Sequence, residues 1–97
     1  MKKGYWVAFV NVKDQKEYSK YTELAGPAIS LHGGTFLARG GEHLNIEGKS
    51  YQRIVIIVFD SLAIAKECYN SSEYQKALSF LNNKNSERVI HFVEGND

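Results

Sequence analysis

The chain has 97 residues, 43% of them hydrophobic and 24% charged, so we expect one globular domain spanning residues 1–97 rather than a disordered or fibrous protein. Twelve basic and eleven acidic side chains give a formal net charge of +1, which offers no global field to attract nucleic acid or an anionic membrane. The single cysteine excludes an internal disulfide. A lone cysteine is typical of a reducing compartment, and we recognise no signal peptide and no apolar run long enough to span a membrane. Together these features favour the cytoplasm.

The first half of the chain predicts a strand followed by a helix. Tyr5–Val12 is rich in β-branched and aromatic residues, as strands are. Asp14 then offers an N-cap, with Glu17 three residues on as its capping-box partner, and apolar side chains recur at helical spacing. Pro27 lies inside this pattern, where its ring clashes with the preceding turn. We therefore predict a kink at Gly26 that divides the helix into two segments.

Two glycine pairs bracket a short second strand. Gly33-Gly34 ends the first helix, Thr35–Arg39 forms the strand, and Gly40-Gly41 is expected to form a bulge or bend before His43–Ile46 continues as a ribbon. Serines that can cap helices follow the next strand. The remaining predicted elements are a strand over Arg53–Phe59, helices over Leu62–Tyr69 and Tyr74–Leu81, and a strand over Arg88–Val93.

The order β-α-β-β-α-β predicts an α+β, ferredoxin-like fold, a four-stranded antiparallel sheet with both helices on one face. The other face stays open. Alternation along the first strand puts Trp6 on one face and Tyr5, Val7 and Phe9 on the other. An open sheet face this apolar is typical of an interface, so we expect a homodimer formed through it.

Several segments resemble a known family of small bacterial proteins. They are GYWVAFV, HGGTFLARGGE, RIVIIVFDS, YNSSEYQ and the terminal VEG, and together they cover nearly the whole chain. In this order and spacing they are similar to the domain of unknown function 1330. The resemblance implies the dimeric α/β-barrel superfamily, whose members pair two ferredoxin-like sheets. That superfamily includes small monooxygenases, haem-degrading enzymes, lactone isomerases and ligand-sensing domains.

The chain also departs from the family pattern. The family commonly reads IEFPS after its central strand, whereas this chain has Val58 at the carboxylate position and Asp60 at the proline. Cys68 stands where a tryptophan is frequent, and an arginine often seen later in that helix is absent. A site built from those positions therefore has fewer polar side chains in this protein.

The candidate ligand-binding residues are Arg39, Glu42, His43, Tyr69 and Tyr74. An arginine, a carboxylate and an imidazole beside a glycine turn can bind an anion or move a proton. The tyrosines can provide flat apolar walls with a hydroxyl at the edge. We predict a pocket between the end of the second strand and the break in the second helix, with Arg39, Tyr69 and Tyr74 on its wall. The alternative is that Arg39 pairs with Glu42 in solvent.

The other reactive side chains favour structural roles. His32 can meet the dipole at the end of the first helix, and His91 sits mid-strand on the face of two valines. Three histidines at 32, 43 and 91 need not converge, so we expect no metal and no tightly bound cofactor. Cys68, in the middle of a helix, is interpreted as a core thiol.

Two hypotheses for function follow. The first is a small-molecule-binding protein, with the option that it is a cofactor-independent enzyme of the monooxygenase or isomerase kind acting on a small, partly apolar compound. This hypothesis rests on the resemblance. The alternative is a non-catalytic dimeric module that senses a ligand or binds a partner, which the missing acid at Val58 favours.

Overall fold

The computed structural model describes residues 2–96, so Met1 and Asp97 of the predicted domain lie outside the described residues. The elements are β1 (Gly4–Val12), α1 (Gln15–Leu31), β2 (Thr35–Arg39), β3 (Arg53–Phe59), α2 (Leu62–Tyr69), α3 (Ser72–Leu78) and β4 (Ser86–Glu94). The strands form one antiparallel sheet in the order β2-β3-β1-β4, which confirms the predicted ferredoxin-like fold. None of the helices among residues 2–96 is both long and apolar enough to cross a membrane.

The core lies between the helices and one face of the sheet, which we call the inner face. Alternate residues of the central strand β1 point to this face, and Trp6, Ala8 and Val10 are buried there. Trp6 is fixed by a hydrogen bond from its indole Nε1 to the carbonyl oxygen of Ala65 in α2, 3.0 Å away. A buried indole N–H needs such an acceptor, so this bond sets the position of α2 over the sheet.

The opposite side of the sheet, which we call the open face, carries no helix. Tyr5, Val7 and Phe9 of β1 are only half-buried there, as the alternation predicts. In the neighbouring strands their partners are Val58, Ile56 and Ile54 of β3, and Val93, His91 and Val89 of β4. Such a contiguous apolar surface is unusual for a free monomer.

Helix α1 begins and ends where predicted, but it is not divided. The Asp14 side chain accepts a hydrogen bond from the backbone N–H of Glu17 (3.2 Å). The prediction that Pro27 divides the helix is wrong, because α1 runs without interruption to Leu31. Pro27 and Glu23, whose carbonyl loses its helical donor, both lie on the exposed side. Water can satisfy that carbonyl, while the buried side of α1 keeps the helix packed.

The break between α2 and α3 is confirmed, and each helix has a serine cap. The Ser61 hydroxyl accepts from the N–H of Ile64 and the Ser71 hydroxyl from that of Tyr74, both at 3.2 Å. Helix α3 ends at Leu78, three residues before the predicted end, and the chain continues in turns. These caps orient Tyr74 into the core, where it is fully buried.

The segment after α1 agrees with one prediction and differs from another. Gly40 forms the expected bend, and an additional irregularity lies within β2, between Phe36 and Ala38. The expected ribbon over His43–Ile46 is wrong, because residues 40–52 form a loop with no strand. Strand β2 lies at the edge of the sheet, and Gly40, with a φ of 71°, turns the chain away from β3. The loop therefore has no neighbouring strand to pair with.

Candidate functional site

A cavity of about 40 Å³ lies between the inner face of the sheet and α1. Small side chains in α1, Ala25 and Gly26, leave this space above the strands. Its wall is mainly apolar and aromatic, and it also contains three arginines. The lining residues are Trp6, Ala8, Val10, Tyr18, Tyr21, Thr22, Ala25, Gly26, Ile29, Phe36, Arg39, Arg53, Val55, Ile57, Arg88 and Ile90.

The strand register explains why three arginines meet there. Arg53 of β3 and Arg88 of β4 both pair with Val10 of β1, so they lie in one row across the sheet, on either side of a buried valine. Arg39 of β2 pairs with Val55, one inward-facing position further along β3. Because side chains alternate along a strand, residues that pair with inward-facing residues share their face. All three arginines therefore lie on the inner face at one end of the sheet.

The bulge in β2 decides the direction of Arg39. Phe36 pairs with Ile57 and Arg39 with Val55, both on the inner face, while two residues, Leu37 and Ala38, intervene. Strict alternation would place Arg39 on the face opposite Phe36. The extra residue restores it to the same face, a common use of a bulge next to a site.

Arg88 is held by two tyrosines from different helices. Its Nη2 donates to the hydroxyl of Tyr74 (3.2 Å) and, at 3.4 Å, to that of Tyr21. The two hydroxyls are hydrogen-bonded to each other at 2.5 Å. The Arg88 guanidinium carbon also lies 5.0 Å from the centre of the Tyr21 ring. Strand β4, α1 and α3 thus converge on a single buried hydrogen-bond network.

The arginines have no carboxylate partner among residues 2–96. The wall of the cavity contains no Asp or Glu, and the ion pairs of the described residues join Lys20 to Glu17 and Lys49 to Glu87. The Nε atoms of Arg53 and Arg88 are buried without an acceptor. Desolvated charge without a counter-ion is unfavourable. The site therefore has unmet positive charge and unmet hydrogen-bonding capacity.

The tyrosines in the wall keep their hydroxyl protons. Burial raises the pKa of Tyr21 well above its ordinary value, and the hydrogen-bonded Tyr74 adds to this while Arg88 opposes it. Burial also raises the pKa of Tyr18, against the nearby charges of Arg88 and Arg53. Both hydroxyls stay protonated at neutral pH. Guanidinium and phenol groups together make a cavity suited to an acceptor, above all an anion.

Arg39 stands at the mouth of the cavity. The residue is exposed, and its guanidinium carbon lies 3.9 Å from the centre of the Phe36 ring, in a cation-π contact. Gly26 provides the space opposite, because a Cβ there would lie 3.1 Å from Arg39 Nη2. Arg39 can thus reach both solvent and the cavity.

The structure brings together only some of the predicted site residues. Arg39 lines the cavity. Tyr74 is not in the wall, but its hydroxyl is hydrogen-bonded to the wall residues Arg88 and Tyr21. Tyr69 packs on Trp6 and Phe92, with ring centres 6.1 and 5.5 Å apart, and is not in the wall. The cavity lies under α1 rather than at the break between α2 and α3. Ligand binding by these residues stays a prediction.

The other two predicted site residues belong to the 40–52 loop. Glu42 is exposed there and takes no part in the ion pairs described above. The Nε2 of His43 is 3.0 Å from the carbonyl oxygen of Tyr51, a contact that closes the loop. His43 also borders a separate depression near Phe9 and Lys49, outside the arginine-lined cavity.

Sequence reasoning missed Arg53, Arg88 and Tyr21. A signal was present for the arginines, because each directly precedes an apolar stretch of its strand and is in phase with the inward-facing residues. Arg53 shares the phase of Val55, and Arg88 that of Ile90. A charge at such a position must either snorkel to solvent or find a partner inside.

The remaining reactive side chains take structural positions. The Nδ1 of His32 is 2.9 Å from the carbonyl oxygen of Ala28 at the end of α1. His91 lies on the open face, paired with Val7. Burial raises the pKa of the Cys68 thiol to about 11, and the residue is fully buried. No cluster of three His, Cys, Asp or Glu within residues 2–96 could hold a metal ion.

Comparison with known families decides the relationship of the chain. A family described as a domain of unknown function, DUF1330, matches residues 3–96. The chain belongs to this family. Among curated proteins, none matches it.

Solved structures with the same fold are distant in sequence. A protein of unknown function from Rhodopseudomonas palustris is 16% identical with a TM-score of 0.72, over 93% of this chain and 81% of that one. A Caulobacter crescentus CB15 protein, described as "a putative antibiotic biosynthesis monooxygenase", is 14% identical with a TM-score of 0.67, over 99% and 92%. A "dimeric ferredoxin-like protein of unknown function" from Thermobifida fusca YX is 15% identical with a TM-score of 0.54, over 95% and 90%. At these identities the likeness shows the fold alone.

Proposed function

We propose that this DUF1330 protein binds a small molecule that has an anionic group and a partly apolar body, in the cavity under α1. The observation that carries the proposal is the meeting of Arg39, Arg53 and Arg88 around one cavity whose described wall has no carboxylate. A bound anion would offset the unpaired charge, and the aromatic wall would hold the rest of the molecule.

Within this proposal, ligand sensing is favoured over catalysis. Proton abstraction needs a base, and the described wall offers guanidinium groups and protonated phenols but no carboxylate or imidazole. Val58, at the position where the family often has an acid, lies on the open face. The second candidate is a cofactor-independent enzyme of the monooxygenase or isomerase kind, which the description of the Caulobacter protein favours.

A ligand panel tests the binding proposal. Purified protein is heated with small carboxylates, phosphonates and sulfonates that carry an aromatic or aliphatic body, and with neutral analogues. At ten times its dissociation constant, a ligand stabilises the fold by about 1.4 kcal/mol. For a domain of this size, that is a shift in melting temperature of about 6–11 °C. If no anion shifts the transition more than its neutral analogue, the proposal fails.

A matched pair of variants locates the binding. Arg39→Met should abolish the shift caused by the anion while the fold is retained. Lys20→Met, which removes an exposed charge of α1 that is not part of the cavity wall, should leave that shift unchanged. If both variants respond like the unmodified protein, Arg39 does not bind the ligand and merely stays in solvent.

We also propose that two copies pair through their open faces, in a protein located in the cytoplasm. The support is the half-buried apolar surface formed by Val7, Phe9 and Ile56, to which β4 adds Val89 (37% exposed) and Val93 (51% exposed). The Thermobifida protein is described as dimeric. Pairing would remove this surface from water.

The dimer is tested by light scattering at micromolar concentration. Ile56→Asp places a charge in the centre of the proposed interface and should give a folded monomer, because a buried charge without a partner opposes association. Ser30→Asp, on the exposed side of α1, adds the same charge elsewhere and should stay dimeric. A monomeric unmodified protein would overturn the proposal.

A further inference from the structure

The two tyrosine hydroxyls of the buried network have more protons than acceptors. The oxygens of Tyr21 and Tyr74 are 2.5 Å apart, so one proton lies between them. Arg88 donates to both oxygens and has no lone pair that could accept the second proton. Among residues 2–96 neither hydroxyl has a further hydrogen-bond partner. One proton of the pair is therefore left without an acceptor in the described part of the protein.

Burial decides which hydroxyl keeps the unpaired proton. Tyr74 is fully buried and lies outside the cavity wall, so a proton directed away from Tyr21 would be enclosed without a partner. A buried donor without an acceptor is unfavourable. Tyr21 lines the cavity, where water or a ligand can accept its proton. The favoured arrangement therefore has Tyr74 donate to Tyr21, and Tyr21 donate into the cavity.

Arg53 and Arg88 line one cavity but turn to different sides of it. The guanidinium carbon of Arg88 lies 5.0 Å from the centre of the Tyr21 ring. Arg53 turns toward the edge strand β2, because a Cβ on Gly40 would lie 2.8 Å from its guanidinium carbon. A group that accepts from Tyr21 would therefore meet the charge of Arg88 rather than that of Arg53.

The surroundings of Tyr21 favour an anionic acceptor over a neutral one. Arg88 takes no part in the ion pairs of the described residues, and its Nε is buried without an acceptor. A hydrogen bond to a charged oxygen is also stronger than one to a neutral oxygen. Tyr74 and Arg88 both donate to the oxygen of Tyr21, which polarises its O–H bond and fixes its direction. Such preorganisation lowers the entropy lost on binding.

Tyr18, the other tyrosine of the wall, is the alternative donor. Burial raises its pKa, against the nearby charges of Arg88 and Arg53, so it also keeps its proton. Among residues 2–96 no second tyrosine is hydrogen-bonded to it, so its hydroxyl is less firmly oriented than that of Tyr21.

From this proton count we infer that the ligand is an oxyanion whose charged oxygen accepts the hydroxyl proton of Tyr21, on the Arg88 side of the cavity. The inference rests on the proposed binding function and names the donor that recognises the anionic group. Tyr21 touches the ligand, whereas Tyr74 is a positioning residue that acts through the oxygen of Tyr21. Arg39, exposed at the mouth, can close over a ligand held there.

The probe 4-nitrophenolate reports directly on such a hydrogen bond. It has an anionic oxygen on a flat apolar body, and its visible absorption moves to shorter wavelength when a donor holds the negative charge on that oxygen. It is titrated into the unmodified protein and into Tyr21→Phe, in alkaline buffer where the probe is deprotonated. The pKa of Tyr21, raised well above its ordinary value by burial, keeps that hydroxyl protonated there.

We expect Tyr21→Phe to bind the probe at least ten times more weakly. The probe bound to this variant should also absorb at longer wavelength than the probe bound to the unmodified protein. A hydroxyl that only supports the fold would not move the absorption. If Tyr21→Phe binds as tightly and with the same absorption as the unmodified protein, the inference fails while the proposed anion-binding function stands.

Three further variants locate the donor. Tyr51→Phe removes a hydroxyl outside the cavity wall and should change neither affinity nor absorption. Tyr74→Phe should weaken binding but leave the absorption of the bound probe in place, because Tyr21 still donates; an absorption moved as far as in Tyr21→Phe would contradict the assignment. If Tyr18→Phe moves the absorption and Tyr21→Phe does not, the donor is Tyr18 and the inference is overturned.

The remaining outcomes are also decisive. If 4-nitrophenolate does not bind the unmodified protein, the inference fails, and the wider anion panel decides whether the binding function survives. If Tyr21→Phe does not fold, unmodified protein labelled with carbon-13 at the tyrosine Cζ atoms replaces it. The probe must then move the Cζ resonance of Tyr21, assigned by elimination with Phe variants of the other tyrosines, and an unmoved resonance overturns the inference.

Discussion

Gly26→Ala should raise the free energy of unfolding and weaken ligand binding in the cavity. Gly26 lies in the interior of α1 with an ordinary negative φ, since it is not among the glycines of positive φ. Replacing glycine by alanine inside a helix gains about 0.5–1 kcal/mol, because glycine loses more backbone entropy on folding. The new Cβ would lie 3.1 Å from Arg39 Nη2, the end of an exposed and flexible side chain that can move aside.

The expected result is a melting temperature raised by about 2–8 °C, measured by calorimetry, since 1 kcal/mol corresponds to about 4–8 °C in a domain of this size. Ligand-induced stabilisation should fall, because the methyl group enters the wall and displaces Arg39.

Two other glycines are matched controls for this substitution. At Gly34 a Cβ would lie 2.6 Å from Ile29 Cγ2 and 2.8 Å from the ring of Phe59, both buried, so Gly34→Ala should lower the melting temperature. Gly41 has open space around it, and Gly41→Ala should change stability by no more than about 0.5 kcal/mol. A melting temperature lowered by Gly26→Ala, or left unchanged by Gly34→Ala, would refute this account of how α1 packs above the cavity.

Four further experiments have expected outcomes. Pro27→Ala restores a helical donor to the exposed carbonyl of Glu23 and should raise the free energy of unfolding by about 1–3 kcal/mol, seen as a higher urea midpoint; an unchanged midpoint would contradict it. The buried thiol of Cys68 should resist iodoacetamide at pH 8 until the chain is unfolded, and rapid native labelling would contradict its burial. Folding raises the pKa of Cys68 from 9.0 to about 11. The contribution of the thiol to the free energy of unfolding is therefore complete below pH 9 and lost as the pH rises to 11. Cys68→Ala should reduce this loss. Tyr74→Phe removes the buried hydroxyl that bonds both Tyr21 and Arg88 and should cost about 1–3 kcal/mol in thermal unfolding, whereas a neutral effect would argue against the tyrosine pair.

The order of elements and most of their boundaries could be predicted from local chemistry. The cap at Asp14 and the caps at Ser61 and Ser71 each involve a side chain and an N–H three residues apart, so neighbouring residues determine them. The two faces of β1 follow from strict alternation, which needs no knowledge of the partner strands. Once the order βαββαβ was known, few topologies remained, and the ferredoxin-like one is confirmed.

Local chemistry was insufficient where contacts between distant parts of the chain decide the local structure. Pro27 should break an isolated helix, but Ala25, Ala28 and Ile29 pack into the core around it, and burial outweighs one lost hydrogen bond on the exposed side. The loop over 40–52 has strand-like residues but no neighbouring strand, because β2 is an edge.

The candidate site depended on the tertiary structure most of all. Arg53 and Arg88 are 35 positions apart in the sequence and meet only because both strands pair with Val10. Tyr21 and Tyr74 come from different helices and are joined by hydroxyl groups that no pattern of spacing relates. Secondary structure depends on neighbouring residues and can be predicted from them. A binding site depends on the register between strands and on how helices pack across them, which the free energy of the whole fold decides.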